Sequence, residues 1–153
     1  MAATAAIGKT EVMIGMPGYE RFRVILKWLL ATLYMVAGVA HVAWPAPFLT
    51  IMPSWVPNPE LVIFITGVCE IAGALGLLKP AIARYAGIGL AIYAVAVFPA
   101  NIKHAMIDMG SDHPTLGLWY HIPRFALQPV LVWAALFASS VINWPFRKSH
   151  DHV

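Results

Sequence analysis

Four long apolar stretches, parted by short polar or proline-rich segments, organise the chain: Val24–Trp44, Leu61–Leu78, Ile82–Lys103 and Pro123–Asn143. Each is close to the ~20 residues a helix needs to cross a bilayer. None alternates apolar and polar residues with period two over ~10 residues, as the strands of a membrane barrel do. The pattern predicts an all-α membrane protein, a four-helix transmembrane bundle over 24–143, with tails at 1–23 and 144–153. The first tail has no unbroken apolar core ahead of a small-residue cleavage site, so it is expected to be retained rather than removed as a signal peptide.

The interruptions of this pattern are more informative than the pattern. Glu70 sits at the midpoint of the second stretch, where a charge costs at least ~2.5 kcal/mol on insertion scales, so it must face the bundle interior and meet a partner. Its helical neighbours Thr66, Gly67, Gly73 and Ala74 are small and allow another helix close to its face. In the first stretch Tyr34, Ala37, Gly38 and His41 share a face. In the third, Pro99 removes the hydrogen bond to the Val95 carbonyl and bends the helix, after which Asn101, His104 and Asp108 follow at i, i+3 and i+7. His121, Arg124 and Gln128 have the same spacing at the start of the fourth. There Pro129 frees the carbonyl of Phe125, which Gln128 or a water can satisfy.

Four spans bring all these groups to the half of the bundle away from the termini. Glu70 lies about nine residues below Leu61, ~13 Å along its helix, and Gln128 ~10 Å below His121. Cβ bonds tilt toward the helix amino terminus, so Glu70 leans toward the level of Arg124. The expectation is a Glu70–Arg124 ion pair with Gln128 and Asn101 as neutral neighbours. The segment Pro45–Glu60, with prolines at 45, 47, 53, 57 and 59, cannot hold a regular helix throughout and should lie in the membrane interface as an aromatic anchor or a lid.

Composition supports the membrane reading: 60% of the 153 residues are hydrophobic and only 11% charged, too little polar surface for a soluble domain of this size. Eight of the ten Lys and Arg residues fall before the first stretch, near its start, in the second turn or after the fourth stretch. The positive-inside rule therefore puts both termini in the cytoplasm. The basic excess follows topology and does not form a nucleic-acid surface. Cys69, the single cysteine, excludes an intramolecular disulfide or a CxxC redox pair and reads as a small buried packing residue. His41, His104 and His121 lack metal-ligand spacing, and Arg124 opposes a cation beside them, so no metal site is expected.

The segments AGVAH, CEIAGALGLL, VFPANIKHAM and RFALQ, in this order over roughly Leu30–Ala135, resemble the DoxX-like membrane proteins. Ala126 stands where relatives often carry proline, and the cysteine pairs of MauE-like relatives are missing. The resemblance implies a bacterial inner (cytoplasmic) membrane protein linked to thiosulfate:quinone oxidoreductase, to thiol and oxidative-stress complexes, or to assembly of other proteins. Two readings follow, neither a stand-alone enzyme, with the bilayer and a redox or other membrane protein as partners. In one, the chain is an interaction or assembly subunit whose polar cluster locks the helices in register. In the other, it is a redox-associated subunit that binds a quinone or another small amphipathic molecule among His41, Glu70, Asn101, His104, His121, Arg124 and Gln128. A shallow apolar groove favours the first, a deep polar-walled cavity the second.

Overall fold

The computed structural model describes residues 18–146, and every regular element among them is a helix. α1 spans Gly18–Ala43, α2 Ala46–Ile51, α3 Pro59–Leu78, α4 Ala83–Ala96, α5 Phe98–Met109 and α6 Gly117–Ala138. α1, α3, the α4–α5 pair and α6 are each long and apolar enough to cross a membrane. Lys9, Arg147 and Lys148, three of the eight basic residues in the charge argument, lie outside the described residues.

α1 packs most extensively on α3, and α4 on α6, with α3–α4 and α1–α6 contacts closing the bundle. Small residues allow this: Ala31, Ala74, Ala91, Ala134, Ala135 and Ala138 alternate in the core with Leu30, Leu77 and Leu90. Trp28, Leu29, Val36, Phe64, Ile92 and Val95 point outward, as expected where lipid is the solvent. Cys69 also faces outward, so it is not the buried packing residue expected; its neighbour Glu70 takes the inward face of α3.

The closest approach is between α1 and α3. A Cβ on Gly38 would stand 2.6 Å from the Gly67 carbonyl oxygen, and one on Gly67 2.9 Å from that of Gly38. Only hydrogen fits at both positions.

Both boundaries of the fourth span differ from the sequence expectation. α6 runs over 117–138 rather than beginning at Pro123 and ending at Asn143. It starts early because Asp108 accepts hydrogen bonds from the backbone N–H groups of Thr115, Leu116 and Gly117 at 2.9, 3.1 and 2.8 Å, supplying the acceptors that a helix start lacks. Pro123 and Pro129 are tolerated inside it with their rings exposed. It stops early because Ser140 takes a left-handed conformation, φ 62°, and Arg23 reaches across to the Phe137 carbonyl at 3.1 Å.

Arg23 is therefore more than a topological charge. It is buried and also bonds Glu20 at 2.9 Å and Asn143 at 2.7 Å, with its guanidinium 4.6 Å from the Phe137 ring. The chain after α6 stays on the bundle: the Trp133 indole donates to the Trp144 carbonyl, and Phe146 packs on Phe22 and Phe137. In the proline-rich connection, a short helix does form. Pro45 and Pro47 fall at its start, where a missing N–H costs nothing.

Candidate functional site

The crossing of Gly38 and Gly67 builds the site. His41 lies one turn beyond Gly38 on α1, and Glu70 one turn beyond Gly67 on α3. The helices are antiparallel, so side chains that tilt toward their own amino termini lean toward one another. Each glycine makes room for the other helix's side chain: the Cβ of Glu70 lies against Gly38 and that of His41 against Gly67. His41 Nδ1 consequently stands 2.8 Å from Glu70 Oε2.

The same nitrogen is 2.8 Å from the Ala37 carbonyl. Both neighbours accept, so Nδ1 carries the hydrogen, and its hydrogen bond goes to the Ala37 carbonyl. Glu70 Oε2, though this close to Nδ1, has no hydrogen-bond partner among the described residues. Phe48 of α2 stacks on the imidazole with centroids 3.8 Å apart and so ties the pair to the connection above it. Tyr93 faces Glu70 and Thr66 from α4. Tyr34 packs edge-on against Tyr93 at 6.3 Å, and its buried hydroxyl has no hydrogen-bond partner among the described residues.

The expected Glu70–Arg124 pair is not formed. Arg124 donates to Asn101 Oδ1 at 2.5 Å and meets His104 Nδ1 at 2.6 Å, with the Tyr120 ring 5.7 Å away. Arginine has no acceptor, so His104 accepts through Nδ1 and carries its proton on Nε2. Asn101 donates in turn to Gln128 Oε1 at 3.1 Å, and Gln128 donates to the Ala94 carbonyl. Gln128 thus bonds the Ala94 carbonyl near the end of α4, and not that of Phe125 as expected. The chain Arg124, Asn101, Gln128, Ala94 runs in one donor direction, which strengthens each link.

Between the two groups lies a partly open cavity of about 520 Å³, within the usual range for small-molecule sites. His41, Glu70, Asn101, Arg124 and Gln128 line it, together with Tyr34, Thr66 and Tyr93, which the residue pattern did not single out as ligand contacts. Leu33, Phe48, Ile63, Val97 and Leu131 supply apolar wall, and Ile51 to Val56 carry the α2–α3 connection across it. Lys103 holds that connection by donating to the Met52 carbonyl.

His104 and His121, also expected at the site, are not on its wall. His104 stands behind Arg124, and His121 is buried beside it with ring centroids 5.3 Å apart. His121 Nε2 is 3.2 Å from Asp108 Oδ2. Asp108 thus joins the start of α6 to the back of the site, and Asp108→Ala is expected to lower the melting temperature and loosen Arg124. Amide hydrogen exchange should speed up at 115–121 before the rest of α6; unchanged protection there would contradict the role.

The fold and the site define a four-span helical membrane protein with a largely apolar cavity that carries polar groups at His41, Glu70, Asn101, Arg124 and Gln128. A family model described as a domain of unknown function (DUF8561) matches residues 30–139, and the chain belongs to that family. The match runs from mid-α1 to the end of α6 and takes in every residue of the cavity wall. No curated protein and no solved structure matches the chain.

Proposed function

We propose that the bundle binds a small amphipathic molecule, a quinone or a compound of similar build, in the cavity between Glu70 and Arg124. The observation that carries this reading is the separation of the two charges. Had they paired, the polar cluster would be a closed structural lock. Instead, each group is held by its own neutral or imidazole partners and presents polar atoms to a shared space of about 520 Å³ with apolar walls, the build expected of a small-molecule site. Arg124 and the Tyr34 hydroxyl offer donors to a carbonyl or similar head, and the Glu70–His41 pair offers a place to hold a proton. The DoxX-like resemblance supports a redox context in a bacterial inner membrane, with chemistry carried out by a partner protein, and the distribution of Lys and Arg supports cytoplasmic termini.

The test is extraction of the full-length protein from its native membrane in mild detergent, followed by mass spectrometry of organic-soluble material. The wild type is expected to retain a small organic molecule near one per chain. Ala100→Phe, which fills the cavity from α5, is expected to lose it while keeping the fold. A wild type that retains no small molecule, but holds a protein partner equally well with and without Ala100→Phe, would instead favour the interaction or assembly reading.

A further inference from the structure

We infer that the molecule held in the cavity is an anionic amphiphile, an apolar body ending in an oxyanion that Arg124 seats; this rests on the small-molecule reading above and narrows it to the charged members of that class, in place of a neutral quinone. Arg124 is a cation in a membrane-spanning helix, where a charge without a counter-charge is costly. Its partners are Asn101 Oδ1, His104 Nδ1 and the face of Tyr120, all without formal negative charge. No described Asp or Glu lies within ion-pair distance of it. Glu70 is taken by His41, and Asp108 is taken by three backbone N–H groups and His121.

The two acceptors fix the guanidinium without neutralising it. A guanidinium carries five N–H donors in a fixed fork suited to bidentate recognition of carboxylate or phosphate, and the contacts with Asn101 and His104 leave others for the cavity that Arg124 lines. The Tyr34 hydroxyl, on a residue 5% exposed and unpartnered among the described residues, adds a second unused donor lining the same cavity. An occupant must therefore bring acceptors, and an ionised head supplies the missing charge as well. Leu33, Phe48, Ile63 and Leu131 offer its body an apolar bed.

The test is photo-crosslinking of the full-length chain in zwitterionic phosphatidylcholine nanodiscs. The probes are a diazirine-bearing palmitic acid, the matching diazirine alcohol and a diazirine lysophosphatidylglycerol, with labelled peptides located by mass spectrometry. The acid is expected to label cavity-wall peptides roughly tenfold or more above the alcohol, the scale of a charge-assisted hydrogen bond. Arg124→Gln is expected to bring the acid down to the alcohol's level, while Arg124→Lys keeps most of the preference. Stronger labelling by the lysophospholipid than by the acid supports the oxyanion and makes a phosphodiester its source.

Equal labelling by acid and alcohol in a folded wild type would overturn the oxyanion and leave the amphiphile reading standing. So would displacement of the acid by a neutral decyl-benzoquinone as effectively as by palmitate. An unchanged preference in Arg124→Gln would overturn the assigned residue. Failure of every probe to label the cavity would overturn both readings.

Discussion

Glu70→Ala is expected to destabilise the folded bundle by on the order of 3 kcal/mol in detergent, among the largest effects of any single side-chain truncation in the protein. The carboxylate is buried at 4% exposure, and its Oε2 lies 2.8 Å from His41 Nδ1. Removing one member of a buried pair leaves the other with its desolvation cost and no compensation. His41→Ala should cost less, because the imidazole retains more contact with solvent and Glu70 keeps Tyr93 facing it. Reversible unfolding by sodium dodecyl sulfate, followed by circular dichroism, measures both. A loss below ~1 kcal/mol for Glu70→Ala would mean that water or another group already satisfies the carboxylate.

Gly67→Val is expected to be as damaging by a different route. Even a lone Cβ at this position meets the Gly38 carbonyl oxygen, the His41 Cβ and a Val42 methyl, each at 2.9 Å. Backbone cannot retreat as a flexible side chain can, so α1 and α3 must separate. Overpacking by one methyl costs ~1–3 kcal/mol in a tight core. Valine should exceed that range or prevent assembly, with Gly67→Ala intermediate. Separation of α1 and α3 also pulls His41 from Glu70, so ligand retention should fall with stability. The graded series Gly, Ala, Val, read by melting temperature and retained small molecule together, checks this. A valine variant with wild-type melting temperature would contradict the close crossing.

How far the sequence carried the fold follows from the physics of each signal. Span number and position are legible because a bilayer demands long apolar runs, and the four runs named from hydropathy are the four that form. Their ends are less legible because they depend on distant residues. Asp108 starts α6 from the end of α5, and Arg23 near the start of α1 stops it at Phe137. Neither contact leaves a local mark in the sequence. Pro123 reads locally as a helix boundary, but Asp108 places the boundary before it.

The site was legible as a membership and not as a set of pairs. Helical spacing assigned His41, Asn101, Arg124 and Gln128 to inward faces at similar depth, and five of the seven expected residues line one cavity. Spacing does not say which helices come closest. Gly38 and Gly67 bring α1 against α3, so the outward-leaning Glu70 meets the inward-leaning His41 rather than Arg124. The small residues flanking Glu70 were the available clue, and Gly38 on the His41 face was its counterpart. Tyr93 was harder to find: it faces Glu70 and Thr66 from the last turn of α4, with no polar partner at helical spacing to mark it.

The central claim is that Glu70 and Arg124 belong to separate halves of one cavity, which leaves Arg124 for a ligand. Two double-mutant cycles on the ligand-stripped protein test it most directly, Glu70→Ala with His41→Ala and Glu70→Ala with Arg124→Gln, read by unfolding free energy. The account predicts coupling of about 1 kcal/mol or more in the first cycle and additivity within ~0.5 kcal/mol in the second. Strong coupling between Glu70 and Arg124, with additivity between Glu70 and His41, would contradict it and restore the closed ion-pair lock.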